Sequence, residues 1–146
     1  MEESGLADRL REAGLKATPQ RILIFKEILS RDDHPTAEAI YKAVKQVHST
    51  ISFNTVYYTL QAFTDKELIN ILRPVVDAAR YDPKTDIHGH FMCSECKQIE
   101  DQFLEDPTLK QLDSQVRESG KYWVAQQQIL WVGLCESCRK ELTGKE

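Results

Sequence analysis

A chain of 146 residues, 41% apolar and 29% charged, has the balance of one globular domain or two small ones, which excludes wholesale disorder and collagen-like repeats. Its apolar runs fall far short of the roughly 18 residues needed to span a bilayer, and its first residues lack the apolar stretch of a secretory signal, so a cytoplasmic protein without membrane contact is expected. The net charge of −4 gives no overall pointer to nucleic acid, but residues 1–75 carry ten Lys or Arg against ten Asp or Glu, and residues 76–146 nine against thirteen. If either half meets phosphate, it is the first.

The first half reads as short helices. Leu6, Leu10 and Ala13 recur at helical spacing ahead of Gly14, a C-cap residue. Thr18-Pro19 is a start signal, Thr as N-cap and Pro at the first helical position; Ile22, Phe25, Ile28 and Leu29 then form an apolar face that ends near Ser30. After the loop RDDHP, Thr36 caps a third helix with Ile40, Ala43, Val44 and Val47 facing inward. Ser52 caps a fourth, with Val56, Leu60 and Phe63 buried and an end around Lys66. Four helices in this order match a helix-turn-helix bundle.

Two strand-like segments, Leu68 to Leu72 and Ala79 to Tyr81, flank Pro74 and suit a β-wing. In a winged bundle the last helix enters the major groove, which puts Asn54, Thr55, Tyr57 and Tyr58 at DNA. No dense basic cluster accompanies them. Phosphate contact falls to the scattered Lys16, Arg21, Lys42 and Lys45, which on composition alone read better as ordinary solvated charges.

The second half alternates: strands over 87–92 and 98–103, a helix over 107–119, a strand over 122–132 and a short helical tail. Tyr122, Val124, Ile129, Leu130, Trp131 and Val132 offer more apolar surface than about 65 residues can cover alone, as expected of a homodimer.

All four cysteines lie in this half, as Cys93-x-x-Cys96 and Cys135-x-x-Cys138, with 38 residues between the pairs. Two such knuckles make the tetrahedral thiolate set of a structural Zn2+. A disulfide framework is disfavoured without a secretory signal. A redox motif is disfavoured because two copies are present and neither opens a βαβ pattern. The gap exceeds that of a typical zinc ribbon and should hold its own strand and helix.

Just before the first knuckle, His88 and His90 stand two apart, so both point to one face of a strand. Asp82, Asp86, Glu100 and Asp101 crowd the neighbourhood. Imidazole with carboxylate suits Mn2+, Fe2+ or Zn2+ and differs from the all-thiolate set beside it. On its own, such a pair also suits a solvated strand. A catalytic metal is the weaker reading, since no nucleophile or general base accompanies the group and the helical half would be unexplained; no enzyme is expected.

The order of motifs, T-P-Q-R from Thr18, H-P-T-A-E from His34, S-x-x-T-V-Y from Ser52, R-Y-D from Arg80, H-x-H and paired C-x-x-C, closely resembles the ferric uptake regulator family over essentially the whole chain. The resemblance implies an α+β fold: an N-terminal winged helix-turn-helix domain over residues 1–82, a hinge at 83–86, and a small C-terminal α/β dimerisation domain over 87–146 with structural zinc. It implies a homodimer on a palindromic double-stranded operator. Carried over by motif, the structural Zn2+ falls on Cys93, Cys96, Cys135 and Cys138, and a regulatory Fe2+ or Mn2+ on His34, Asp82, His88, His90 and Asp101. His34 comes from the resemblance alone.

Smaller differences suggest the branch. Asp101 stands where iron sensors usually carry Glu; no histidine follows His90 to build a further site, and every cysteine belongs to a knuckle, unlike zinc sensors. The set looks most like a peroxide-sensing repressor, in which metal-catalysed oxidation of His34 and His88 releases DNA. The alternative is an iron-responsive repressor without peroxide sensing. Tyr58 replaces the Arg or Asn that relatives often carry there, which leaves operator preference open.

Overall fold

In the computed structural model, which describes residues 3–75, 77–104 and 108–144, the chain divides into two units, Met1–Thr85 and Asp86–Glu146. The first unit begins with α1 (Glu3–Glu12), α2 (Pro19–Leu29), α3 (Ala37–Val47) and α4 (Phe53–Asp65). Gly14 closes the α1 end at φ 78°, a left-handed conformation open to glycine without a Cβ penalty. Thr18, Thr36 and Ser52 cap the next three helices, each hydroxyl accepting from the amide three residues on, Arg21 at 3.3 Å, Ala39 at 3.1 Å and Thr55 at 3.1 Å.

The inward faces of these helices merge into one core around Phe25 and Phe63, whose ring centroids lie 5.1 Å apart, with Leu10, Ile28, Val44 and Leu60 fully enclosed. Val47 departs from the expectation and is 74% exposed. Ile40 and Val44, one turn apart, occupy the inward stripe, and Ile51, just beyond the helix end, is buried in the core while Val47 is left outside.

Strands β1 (Asn70–Leu72) and β2 (Arg80–Asp82) pair antiparallel with Ile71 opposite Tyr81 and form the wing. Tyr81 is buried against the helical core, so the wing is anchored by its inward side chain.

The second unit holds β3 (Gly89–Cys93), β4 (Ile99–Gln102), α5 (Thr108–Glu118), β5 (Leu130–Gly133) and α6 (Glu136–Thr143). The sheet order is β4-β3-β5, antiparallel to β4 and parallel to β5. The strand expected over 122–132 is realised only as its last part. β3 pairs with β5 over four residues, His90 opposite Leu130 to Cys93 opposite Gly133, and the chain before Leu130 joins it only where the His90 amide donates to the Ile129 carbonyl at 2.9 Å, which the regular strand does not include. The 38-residue gap does carry its own strands and helix; Pro107, expected to begin that helix, lies outside the described residues.

This unit buries few apolar side chains, chiefly Met92, Ile99 and Leu109, and leaves Tyr122, Trp123 and Val132 exposed. No described helix in either unit is long and apolar enough to cross a membrane.

Candidate metal centres and nucleic-acid interface

The thiol cluster follows from the sheet. Parallel pairing sets Cys93, at the end of β3, beside Gly133, at the end of β5, so Cys135 comes only two residues later. The Ser94 amide donates to the Gly133 carbonyl at 2.7 Å and closes the two strand ends together. Lys97 takes φ 62° to finish the first knuckle, which returns the Gln98 carbonyl to the Cys93 amide at 3.0 Å. Cys135 is the N-cap of α6 and Cys138 lies one turn along it.

The four sulfurs lie within 4.8 Å of one another. Free thiols packed so closely titrate unequally. The Cys135 amide, donating to the Cys93 sulfur at 3.4 Å, lowers the Cys93 pKa to about 6, whereas hydrogen bonding to Cys135 pushes Cys138 up to about 12. A divalent cation relieves the crowding by binding all four as thiolates, and four sulfurs in this compass suit tetrahedral Zn2+.

A second donor group lies on the same sheet. His90 on β3 stands directly opposite Asp101 on β4, and His88, two residues before it, shares that face. Asp101 Oδ1 is 3.2 Å from His88 Nε2 and 3.5 Å from His90 Nε2. Both histidine residues are 7% exposed. His88 Nδ1 donates to the Asp86 carbonyl at 2.7 Å, which leaves the Nε2 lone pair available to a cation that Asp101 would share. Phe103 stacks on the His88 ring at 4.9 Å, covering one face of the group.

Gly89, between the two histidines, has no room for a side chain. An added Cβ would lie 2.3 Å from Trp131, so the indole packs directly on the backbone that spaces the imidazoles.

The first unit carries its own pair. His34 Nε2 is 3.9 Å from Asp82 Oδ2, with the residues 3% and 1% exposed. Asp82 closes strand β2, and its other oxygen accepts from the Lys84 amide at 2.8 Å. The sequence marks His34 as a loop residue before proline, a place that is usually solvent-facing; the structure buries it. Buried imidazole with carboxylate, and no sulfur, suits Fe2+ or Mn2+.

The proposed DNA contacts all lie in the first unit. Asn54, Tyr57 and Tyr58 project from α4, the tyrosines 44% and 68% exposed. Thr55 differs: it is half-buried, and its hydroxyl lies 2.8 Å from Ser52 Oγ within the N-cap. Lys16 is exposed between α1 and α2, and Arg21 Nη1 donates to the Lys16 carbonyl at 3.2 Å. Lys42 pairs with Glu38 at 3.4 Å, and Lys45 donates to the Tyr41 hydroxyl at 2.7 Å. Sequence reasoning missed Tyr41 and Phe53, which continue the Tyr57 and Tyr58 rings into an edge-packed aromatic run. The i, i+4 spacing of Phe53 and Tyr57 was the available signal.

Against known proteins, residues 12–130 match the model of the ferric uptake regulator family. The chain is 31% identical over 132 residues to the peroxide-responsive repressor PerR of Staphylococcus epidermidis, covering 90% of this chain and 87% of that protein. Its fold is similar to the Campylobacter jejuni peroxide stress regulator, with a TM-score of 0.67 at 26% identity over 94% of this chain and all of that one. It is also similar to the Francisella tularensis ferric uptake regulator with iron, with a TM-score of 0.68 at 26% identity over 86% of this chain and 96% of that one.

Proposed function

The chain belongs to the ferric uptake regulator family, and on that premise we propose that it is a metal-dependent transcriptional repressor that senses hydrogen peroxide. The observation that carries this reading is the sulfur-free donor set, His88, His90 and Asp101 on one sheet face and His34 with Asp82 in the other unit, beside a separate cluster of four cysteines. The curated similarity to peroxide-responsive repressors supports the signal.

In this reading Cys93, Cys96, Cys135 and Cys138 hold a structural Zn2+ and keep the second unit folded. His34, Asp82, His88, His90 and Asp101 hold a regulatory Fe2+ or Mn2+. A cation that takes donors from both units adds its binding free energy to the mutual arrangement that satisfies them all, and DNA affinity follows if that arrangement is the one that binds. The protein acts in the cytoplasm as a homodimer on a palindromic operator, read by α4 through Asn54, Tyr57 and Tyr58, with Thr55 serving the cap and Lys16 and Arg21 placed for phosphate.

Bound Fe2+ would supply the electron that splits the O–O bond of hydrogen peroxide beside its own ligands. The consequence for the chain would be one oxygen atom of the peroxide added to the ring of His34 or His88 and the other released as water, the ring losing two electrons in all and so making good the one that the cation lends. An oxidised imidazole is a poor donor, so the cation and then the DNA are released. Mn2+ supports DNA binding without this sensitivity.

The test loads zinc-containing protein anaerobically with Fe2+ or Mn2+, adds dilute peroxide, and follows peptide masses together with operator binding. The expected result is a gain of one oxygen on the His34 or His88 peptide with Fe2+ only, in step with loss of DNA. If the Fe2+ form stays unmodified and bound, the second reading holds, an iron-responsive repressor, which the fold similarity to an iron-containing regulator also supports.

A further inference from the structure

His34 sits at φ 50°, a left-handed backbone that a residue with a side chain adopts only when its surroundings hold it there. Hydrogen bonds from strand β2 provide the hold. Arg80 Nη1 donates to the His34 carbonyl at 3.4 Å, and the Tyr81 amide donates to the Pro35 carbonyl at 2.9 Å. Arg80 is oriented in turn by Asp77, whose Oδ2 accepts from Nη2 at 2.9 Å; the two side chains are only 15% and 22% exposed.

Strand alternation puts Arg80 and Asp82 on one face of β2. The same short strand therefore offers a guanidinium to the His34 backbone and a carboxylate beside the His34 imidazole. It is also half of the wing, paired to β1 through Ile71 and Tyr81.

We propose that Arg80 is a positioning residue for the His34 metal donor, holding its left-handed backbone from the wing strand and thereby coupling metal occupancy to the order of the wing. The proposal rests on the reading that His34 and Asp82 help hold the regulatory cation. A guanidinium suits the task because its planar fork serves a carbonyl with one nitrogen and a carboxylate with another. An ammonium has a single nitrogen for both.

The experiment titrates zinc-loaded, full-length protein with Mn2+, reading free Mn2+ by electron paramagnetic resonance, with zinc content and the thermal melt as controls. Arg80→Ala is expected to weaken Mn2+ binding about tenfold, the lower end of what outer-shell partners of metal ligands contribute, with zinc content unchanged. Arg80→Gln, which keeps a donor but loses the fork, should fall between, and Arg80→Lys should recover no more than Gln. In a His34→Ala background, Arg80→Ala should add no further loss, because its effect runs through His34. Amide exchange supplies the wing readout: Mn2+ should slow exchange at Tyr81 in the wild type and not in Arg80→Ala.

If His34→Ala leaves Mn2+ binding intact, the assignment of His34 as a ligand fails. If His34→Ala weakens binding while the Arg80 variants bind normally, or if Arg80→Ala costs as much again without His34, the role of Arg80 alone is overturned. Should Arg80→Ala lower the melt markedly, the Gln and Lys variants decide the matter.

Discussion

The two units reach stability by different means. The first closes an apolar core in which Phe25, Ile28, Val44, Leu60 and Phe63 have no measurable or almost no exposure, and caps its helices with side-chain hydroxyls. The second buries little beyond Met92, Ile99 and Leu109, exposes Trp123 at 90%, and draws four sulfurs together where two strands end. A small unit with so thin a core needs another source of folding free energy. The lesson is that in one chain one half can close on its own apolar core while the other draws on coordination chemistry and on the proposed dimer contact that would cover its apolar side chains.

The contrast is broken most forcefully by removing the metal of the second unit. Chelation of zinc, or Cys96→Ser, should withdraw much of the roughly 10–16 kcal/mol that structural zinc contributes in small domains. Amide exchange should then become fast on β3, β4 and β5 and stay slow at Phe25 and Phe63. Uniform protection across both units after zinc loss would show that the second unit stands on its own core.

The reciprocal experiment is Phe63→Ala. Emptying the centre of the helical core should cost about 3–5 kcal/mol, read as a lower first transition in a denaturant melt, with zinc content unchanged. Loss of zinc in parallel would mean that the two halves do not unfold separately.

Gly89→Ala probes how closely the sheet is packed under the histidines. Its Cβ would fall 2.3 Å from Trp131, so overpacking of about 1–3 kcal/mol is expected, together with a shifted indole emission. Normal stability and an unchanged spectrum would show that the indole moves aside freely.

The smallest effect should come from Ser52→Ala, which removes the cap of α4 at about 1 kcal/mol. Chemical denaturation should register that loss without any change in Mn2+ or zinc binding, because the Ser52 hydroxyl bonds within the first turn of α4, where none of the proposed ligands lies.

Much of the first unit was legible because its signals are local. A hydroxyl followed by an amide three residues on makes a cap in any context, so Thr18, Thr36 and Ser52 announce their helices, and 3.6-residue periodicity names Val56, Leu60 and Phe63 as the buried stripe. The knuckle spacing was equally readable. Val47 was misjudged because periodicity gives a direction and not the extent of what covers it; only packing shows that Ile51 is the buried residue there. The strand over 122–132 was overdrawn because composition sees β-formers, whereas a regular strand needs a neighbour in register, which β3 supplies only opposite Leu130 to Gly133.

The candidate site divides in the same way. His88, His90 and Asp101 stood out as a neighbourhood because strand alternation and short separation bring them together by themselves. His34 did not, and neither did Arg80, since 46 residues separate the guanidinium from the carbonyl that it serves.

By itself, then, the sequence determined the helices, their caps, the two knuckles and the paired histidines, because each depends on interactions within a few residues. Only the tertiary structure decided which strand ends bring the knuckles together, that His34 is buried in a left-handed backbone beside Asp82, and that the wing strand holds it. Those outcomes depend on contacts between segments distant along the chain, and local chemistry carries no record of the packing that selects them.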